Sequence, residues 1–142
     1  MKHQVLSDIY TKARTASRTI YFPDAEDIRT IQAAHHITEQ GLAKPVLIGN
    51  KQNICSIIDA QCLEYSPLII DPATSELTPH YTEILFELRK KKNLSYQAAN
   101  ELIAQPLYWA GIALHNGDCD GCVAGSLSST GDVLRAALHT VG

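Results

Sequence analysis

Four short apolar, β-prone runs, each closed by a proline or glycine and separated by helical patterns, constrain this chain more than any other feature. They are Thr19-Ile20-Tyr21-Phe22 before Pro23, Pro45-Val46-Leu47-Ile48 before Gly49, Leu68-Ile69-Ile70-Asp71 before Pro72, and Gly121-Cys122-Val123-Ala124-Gly125. All four read as strands, the second and fourth as buried ones. Ile28, Ile31, Ala34 and Ile37 then form an apolar stripe at helical spacing, with Asp24 or Asp27 able to cap it and Gly41 to end it. Lys51–Ala60 reads as a weaker helix. Strand–helix alternation predicts βαβ crossovers and a three-layer αβα domain with a mostly parallel sheet.

The ends and the middle depart from simple alternation. Val5, Leu6, Ile9, Tyr10, Ala13 and Ala16 predict a first helix over about Val5–Ala16. Between the third and fourth strands lies a helical stretch, His80 to Asn116, too long for a crossover. Tyr81, Ile84, Leu85 and Leu88 mark its first helix, Ser95 caps a second through Ile103, and Pro106 opens a third to about Leu114. It is expected to pack as an inserted helical cap on the sheet. A last helix carries Val133, Leu134, Ala137 and Leu138. The chain stops one helix after the fourth strand, so it is expected to be part of something longer.

With 142 residues, 45% hydrophobic and 19% charged, the chain holds one domain with a real core. A net charge of −3 argues against a general nucleic-acid or membrane-surface binder. There is no apolar run of the roughly 20 residues a membrane helix needs and no secretory signal pattern, so a cytoplasmic location is expected. The four cysteines are then expected as free thiols.

The best candidate site is the turn Gly125-Ser126-Leu127-Ser128-Ser129-Thr130-Gly131-Asp132, after a strand and before a helix. Unpaired N–H groups at a helix start attract phosphate, Ser128, Ser129 and Thr130 add hydroxyls, and Arg135 adds charge one turn on. The alternative is an ordinary Ser/Thr cap; the lysine of a Walker motif is missing. A second turn, Pro23-Asp24-Ala25-Glu26-Asp27 with Arg29, should lie on the same sheet edge and reads as a solvated acidic helix start. Arg89-Lys90-Lys91-Lys92 can meet anionic phosphates or simply end a helix in solvent. Cys119-Asp120-Gly121-Cys122 is a CxxC without the further ligands zinc needs, and its second cysteine falls inside a strand, so incidental buried thiols are expected. His35 and His36 diverge by about 100° on a helix and are read as structural.

Three blocks together resemble one enzyme family. Phe22-Pro23-Asp24-Ala25-Glu26-Asp27-Ile28-Arg29-Thr30, running to Gly41 and Pro45-Val46-Leu47-Ile48-Gly49-Asn50, resembles the opening of the phosphate acetyl/butyryl transferases, with its Pro-Glu-Gly-x-Asp-x-Arg pattern. Leu85-Phe86-Glu87-Leu88-Arg89-Lys90-Lys91-Lys92, followed by Ser95 to Leu102, is similar to their Glu-Leu-Arg-Lys helix pair. Gly117-Asp118-Cys119-Asp120-Gly121-Cys122-Val123-Ala124-Gly125, then Ser129-Thr130-Gly131-Asp132-Val133-Leu134-Arg135, is similar to their Gly-Asp-Ala-Asp-Gly-x-Val-x-Gly … Ser-Thr-x-Asp-x-Leu-Arg block. Two departures are Ala25 for a usual Gly and Ala136 for a usual Pro.

The resemblance implies a fold like the isocitrate/isopropylmalate dehydrogenases, two α/β domains around a cleft, and a homodimer without metal or cofactor. Residues 1–142 correspond to the N-terminal domain. The implied reaction converts acetyl-CoA and phosphate to acetyl phosphate and CoA, with CoA as substrate. The implied ligand contacts are Arg89, Ser128, Ser129, Thr130 and Arg135. The family's general-base aspartate, with its partner serine and arginine, belongs to the later half, so no catalytic residue is assigned and the isolated chain is expected to be inactive. Alternatives are a phosphate butyryltransferase, a non-catalytic acyl-CoA-sensing module of the same fold, and an unrelated nucleotide-binding domain, which the missing Gly-rich fingerprint disfavours.

Overall fold

The computed structural model describes residues 2–142. Its elements run α1 (Lys2–Ala16), β1 (Thr19–Phe22), α2 (Ile28–Glu39), β2 (Lys44–Ile48), α3 (Lys51–Ala60), β3 (Leu68–Ile70), α4 (Thr78–Arg89), a 3-10 turn (Lys90–Lys92), α5 (Tyr96–Ile103), α6 (Pro106–Asn116), β4 (Gly121–Cys122) and α7 (Thr130–Thr140). The four strands form one sheet in the order β3-β2-β1-β4, every pairing parallel. The expected α/β architecture is present, with the inserted helices α4, α5 and α6 between β3 and β4.

Alternation along the strands builds two cores. Tyr21, Val46 and Ile48 point to the face covered by α4–α7, where Leu85, Ile103, Trp109 and Ile112 are fully buried. Phe22 and Leu47 point to the other face, under Ile31 and Ala34 of α2 and Ile54 and Ile58 of α3. Successive strand residues face opposite ways, so each strand feeds both layers. Polar atoms inside the larger core are satisfied. The Trp109 indole N–H donates to Thr78 Oγ1 at 3.0 Å, and that hydroxyl donates to the Pro72 carbonyl at 2.6 Å. The Tyr81 hydroxyl donates to Asp118 just before β4. Burial, and then the Asp118 bond, push that phenol far above its ordinary pKa, so Tyr81 stays a neutral donor.

Asp27 is the cap of α2, its carboxylate accepting the Arg29 N–H. The same helix ends with Gly41 N–H on the Thr38 carbonyl and Leu42 N–H on that of Ile37, a Schellman pair. Helices α6 and α7 approach closely because residue 111 is a glycine. A Cβ there would stand 2.3 Å from Thr140 Oγ1.

Two expectations are corrected. The fourth strand does not run from Gly121 to Gly125 as a buried element; only Gly121–Cys122 pairs with β1, half-buried, and Val123 is 55% exposed. β4 has a strand neighbour on one side only, and Gly125 at φ 111 turns the backbone out of the sheet. The acidic turn after β1 is not solvated: Asp24 and Asp27 are buried. The first helix forms as expected, with its apolar stripe exposed. Val5, Leu6, Ile9 and Tyr10 are exposed, while Arg14 ties the helix to the Gln40 carbonyl at 2.9 Å.

Candidate functional site

Strand order reverses between β1 and β4. From β1 the chain moves outward to β2 and β3, then returns across the sheet to place β4 on β1's other side. In open parallel sheets, ligands bind beyond the strands' carboxyl ends at such a reversal. The turn after β1 and the turn after β4 meet there.

Asp24 joins them. Its Oδ2 accepts the amides of Gly125 at 2.6 Å, Ser126 at 2.9 Å, Leu127 at 3.3 Å and Ser128 at 3.4 Å. Its Oδ1 accepts the Ser128 hydroxyl at 2.5 Å. Consecutive amides around one oxygen form an anion-binding nest, and here a carboxylate of the same chain fills it. Burial alone would raise the Asp24 carboxyl. The Ser128 hydroxyl and the amides of Gly125, Leu127 and Ser128 outweigh burial and hold it below its usual range.

Arg29 adds a second strap. Its guanidinium holds Asp27 through Nη2 at 2.5 Å and Nε at 3.0 Å, and Nη2 also donates to the Ser126 carbonyl at 2.8 Å. Arg29's hydrogen bonds to the Asp27 carboxylate depress its pKa to about 2. Thr30 and Ser126 hydroxyls lie 2.9 Å apart. Beside this junction a hollow of about 370 Å³ is bordered by Pro23, Asp24, Gln105, Leu127, Ser128 and Asp132.

The α7 start is only partly closed. Ser129 caps it, accepting the Asp132 amide at 3.1 Å and donating its hydroxyl to Asp132 Oδ2 at 2.6 Å. Among the described residues, the Thr130 and Gly131 amides and the Thr130 hydroxyl have no protein partner. Arg135 donates to Asp132 Oδ1 at 2.9 Å and stays exposed. Arg89, the last residue of α4, acts electrostatically on the same two groups as Arg135, Tyr108 of α6 and His139 of α7. Arg89 ends α4, a helix that packs on both α6 and α7, while Lys90–Lys92 form a 3-10 turn with exposed side chains.

Burial keeps the two thiols of the CxxC protonated. Cys119 is buried and Cys122 half-buried, and all four cysteines are free. Burial pushes the Cys122 thiol up to about 12, with Cys119 and Asp24 reinforcing the rise. Among the described residues no cluster of three or more His, Cys, Asp or Glu is placed to hold a metal ion, and no helix is long and apolar enough to cross a membrane.

Tyr108 and His139 escaped the sequence reading, whereas Asp24 and Arg29 stand in its second candidate turn without the role the structure gives them. Asp24 sits in the quoted strand–turn–helix block but reads there as a surface acid. His139 lies four residues after Arg135, one helical turn away, a spacing that places both on one face.

A parallel sheet with a strand-order reversal, and two turns meeting at its carboxyl edge, defines an open α/β domain of the doubly wound kind. The family model for "Phosphate acetyl/butaryl transferase" matches residues 4–142, and the chain belongs to that family. It is 41% identical over 134 residues to the phosphate acetyltransferase of Acetivibrio thermocellus, covering 94% of this chain and 40% of that one. To the phosphate acetyltransferase of Clostridium acetobutylicum it is 33% identical over 138 residues, covering 96% and 41%. The EutD phosphotransacetylase from Staphylococcus aureus superposes with a TM-score of 0.88 at 28% identity, covering 98% of this chain and 42% of that one. The chain thus spans about two fifths of the length of these relatives.

Proposed function

We propose that this chain is the N-terminal part of a two-domain phosphate acetyltransferase and forms one wall of its cleft for CoA and acetyl phosphate. The observation that carries this reading is the meeting of the β1 and β4 turns at the strand-order reversal, in a chain of this family.

In the reaction the CoA thiolate attacks the acetyl phosphate carbonyl. A C–S bond forms, the C–O bond to phosphate breaks, and phosphate leaves with the bonding pair; the reverse direction makes acetyl phosphate. Arg89 and Arg135 supply cationic charge to ligand phosphates, and guanidinium suits that role through its fixed fork of donors. The Thr130 hydroxyl and the Thr130 and Gly131 amides supply neutral donors at a helix start. Ser128 and Ser129 shape the turn that presents them. A free thiol is mostly protonated at neutral pH, so the reaction needs a base. In this reading the base comes from the opposite wall. CoA is a substrate, no metal or further cofactor takes part, and the whole enzyme is a cytoplasmic homodimer.

The test is calorimetric titration of the purified 142-residue chain with CoA, together with an assay of thioester formation from acetyl phosphate. The expected result is CoA binding without turnover. Arg135→Ala, made in the chain joined to a relative's remaining part, should raise the KM for CoA or phosphate about tenfold, the loss of roughly one charge-assisted bond. Robust turnover by the chain alone, or unchanged constants for both substrates in the variant, would overturn the assignment.

A further inference from the structure

The sheet is open at one edge. β4 pairs with β1 on one side and has no strand on the other. Val123 still donates its N–H to the Tyr21 carbonyl at 2.9 Å, whereas the next amide, that of Ala124, has no protein partner among the described residues. Two hollows flank this edge, one on each face of the sheet. On the face of α6 and α7, a hollow of about 460 Å³ is bordered by Leu107 and Leu114 of α6, Cys122 and Val123 at the edge, and Val133 and Ala137 of α7. On the face of α2, a hollow of about 250 Å³ is bordered by Phe22, Thr30 and Ala33, and again by Val123 and Ala124. Leu134, Leu138 and Val141 add an apolar row along α7, at helical spacing, each more than half exposed.

We propose that this edge is a docking surface for a strand supplied by the polypeptide that makes up the remaining three fifths of the relatives' length. This rests on reading the chain as part of a two-domain enzyme, and it adds which surface of the chain meets the rest. A free strand edge invites pairing, and sheets blunt such edges with charges or prolines. The opposite edge, β3, is blunted in this way: Pro67 precedes it, and Asp71 and Pro72 follow it. Residues 121–125, Gly-Cys-Val-Ala-Gly, hold neither a charge nor a proline. A parallel strand covered on both faces carries apolar side chains on both, and alternate residues of an added strand would enter the two hollows in turn. Contiguous exposed apolar surface is the mark of a protein contact. The relatives that share this domain, the superposed EutD phosphotransacetylase among them, carry about three fifths more chain. Joined to the domain, that chain reaches the edge at a high effective concentration. A second copy of residues 1–142 offers only the same two-residue strand.

The test compares amide hydrogen exchange in the 142-residue chain alone and in the chain joined to the remaining part of the Acetivibrio thermocellus relative. Peptides covering residues 121–125 should exchange at least about tenfold more slowly in the joined protein, because a paired edge opens less often. Val123→Lys/Leu138→Glu should leave the thermal midpoint of the chain alone unchanged, since both side chains are exposed there, and should abolish the added protection in the joined protein. Equal exchange at 121–125 in the two proteins overturns the proposal. So does sedimentation of the chain alone as a dimer that the double variant dissociates, which makes a second copy the occupant. Co-expression of the two pieces as separate chains reads the same contact without a joining peptide. The wild-type chain should co-purify with the tagged remainder and the double variant should not; recovery of both alike, or of neither, overturns the proposal. An assay of thioester formation by the joined protein separates this from the wider reading. Turnover without protection removes the docking edge and keeps the transferase. Protection without turnover keeps the docking edge and removes the transferase.

Discussion

Asp24 and Ser128 lie 104 residues apart in the chain, yet the Ser128 hydroxyl donates to Asp24 Oδ1 at 2.5 Å while four amides of the same loop converge on Oδ2. One buried carboxylate thereby fixes the loop that follows β4 against the turn that follows β1. Asp24→Ala leaves these donors without an acceptor. The expected loss is about 3 kcal/mol, since orphaned buried donors to a charged partner cost on that order. Urea unfolding of both proteins measures it. Asp24→Asn keeps one acceptor oxygen and should lose less. A loss below the error of the measurement would show that the nest contributes nothing.

Acid should unfold this protein through the carboxylates at the junction. Hydrogen bonds from Arg29 lower Asp27 to about 2, and Asp24 also lies below its usual range. Between about pH 4 and 2 the native state thus binds fewer protons than the unfolded one. The stabilisation is present above about pH 4 and is lost as pH falls through the folded values. Thermal midpoints recorded from pH 7 to 2 should drop over that window, and the drop should be shallower in Asp27→Asn. Equal slopes would exclude Asp27 as a contributor.

Close approach of α6 and α7 depends on Gly111. Gly111→Ala puts a methyl 2.3 Å from Thr140 Oγ1 and 3.0 Å from its Cβ. Overpacking of this kind costs about 1–3 kcal/mol. Adding Thr140→Ala removes the hydroxyl and methyl but not the Cβ, so it should restore part of the loss. A double-mutant cycle in denaturant measures the coupling, and purely additive effects would contradict the contact.

Thiol labelling should divide the cysteines. Cys62 is exposed and Cys55 half-buried, whereas burial raises both Cys119 and Cys122. With a disulfide reagent at pH 8, Cys119 and Cys122 should react at least about a hundredfold more slowly than Cys62, because attack requires the thiolate. Fast labelling of the CxxC pair in the native protein would refute its inertness.

The fold was largely legible because its signals are local. Thr19–Phe22, Lys51–Ala60 and Leu68–Ile70 stand where periodicity and turn residues put them, and Ser95 and Ser129 cap the helices that follow them. The fourth strand was not legible. Its apolar run has the composition of a buried strand, but how far a strand pairs depends on neighbours that only the assembled sheet supplies. The stripe of α1 marks a helix, but period says nothing about what lies opposite, and its apolar residues are exposed. For the site, Arg89 and Arg135 carry motif-level signals. Asp24 does not, because its partners are backbone amides a hundred residues downstream, and amides carry no residue identity. Tyr108 and His139 meet only after α6 and α7 have packed.

The self-filled nest has a consequence for how the wall meets a ligand. A loop of glycine and serines, left to itself, samples many conformers, and a ligand that selects one bears the lost entropy on binding. Here the Asp24 carboxylate has already imposed that order when the chain folds. The Thr130 and Gly131 amides therefore follow a loop already held in place, and in the proposed cleft wall binding energy at this edge would go into affinity and orientation instead of loop ordering.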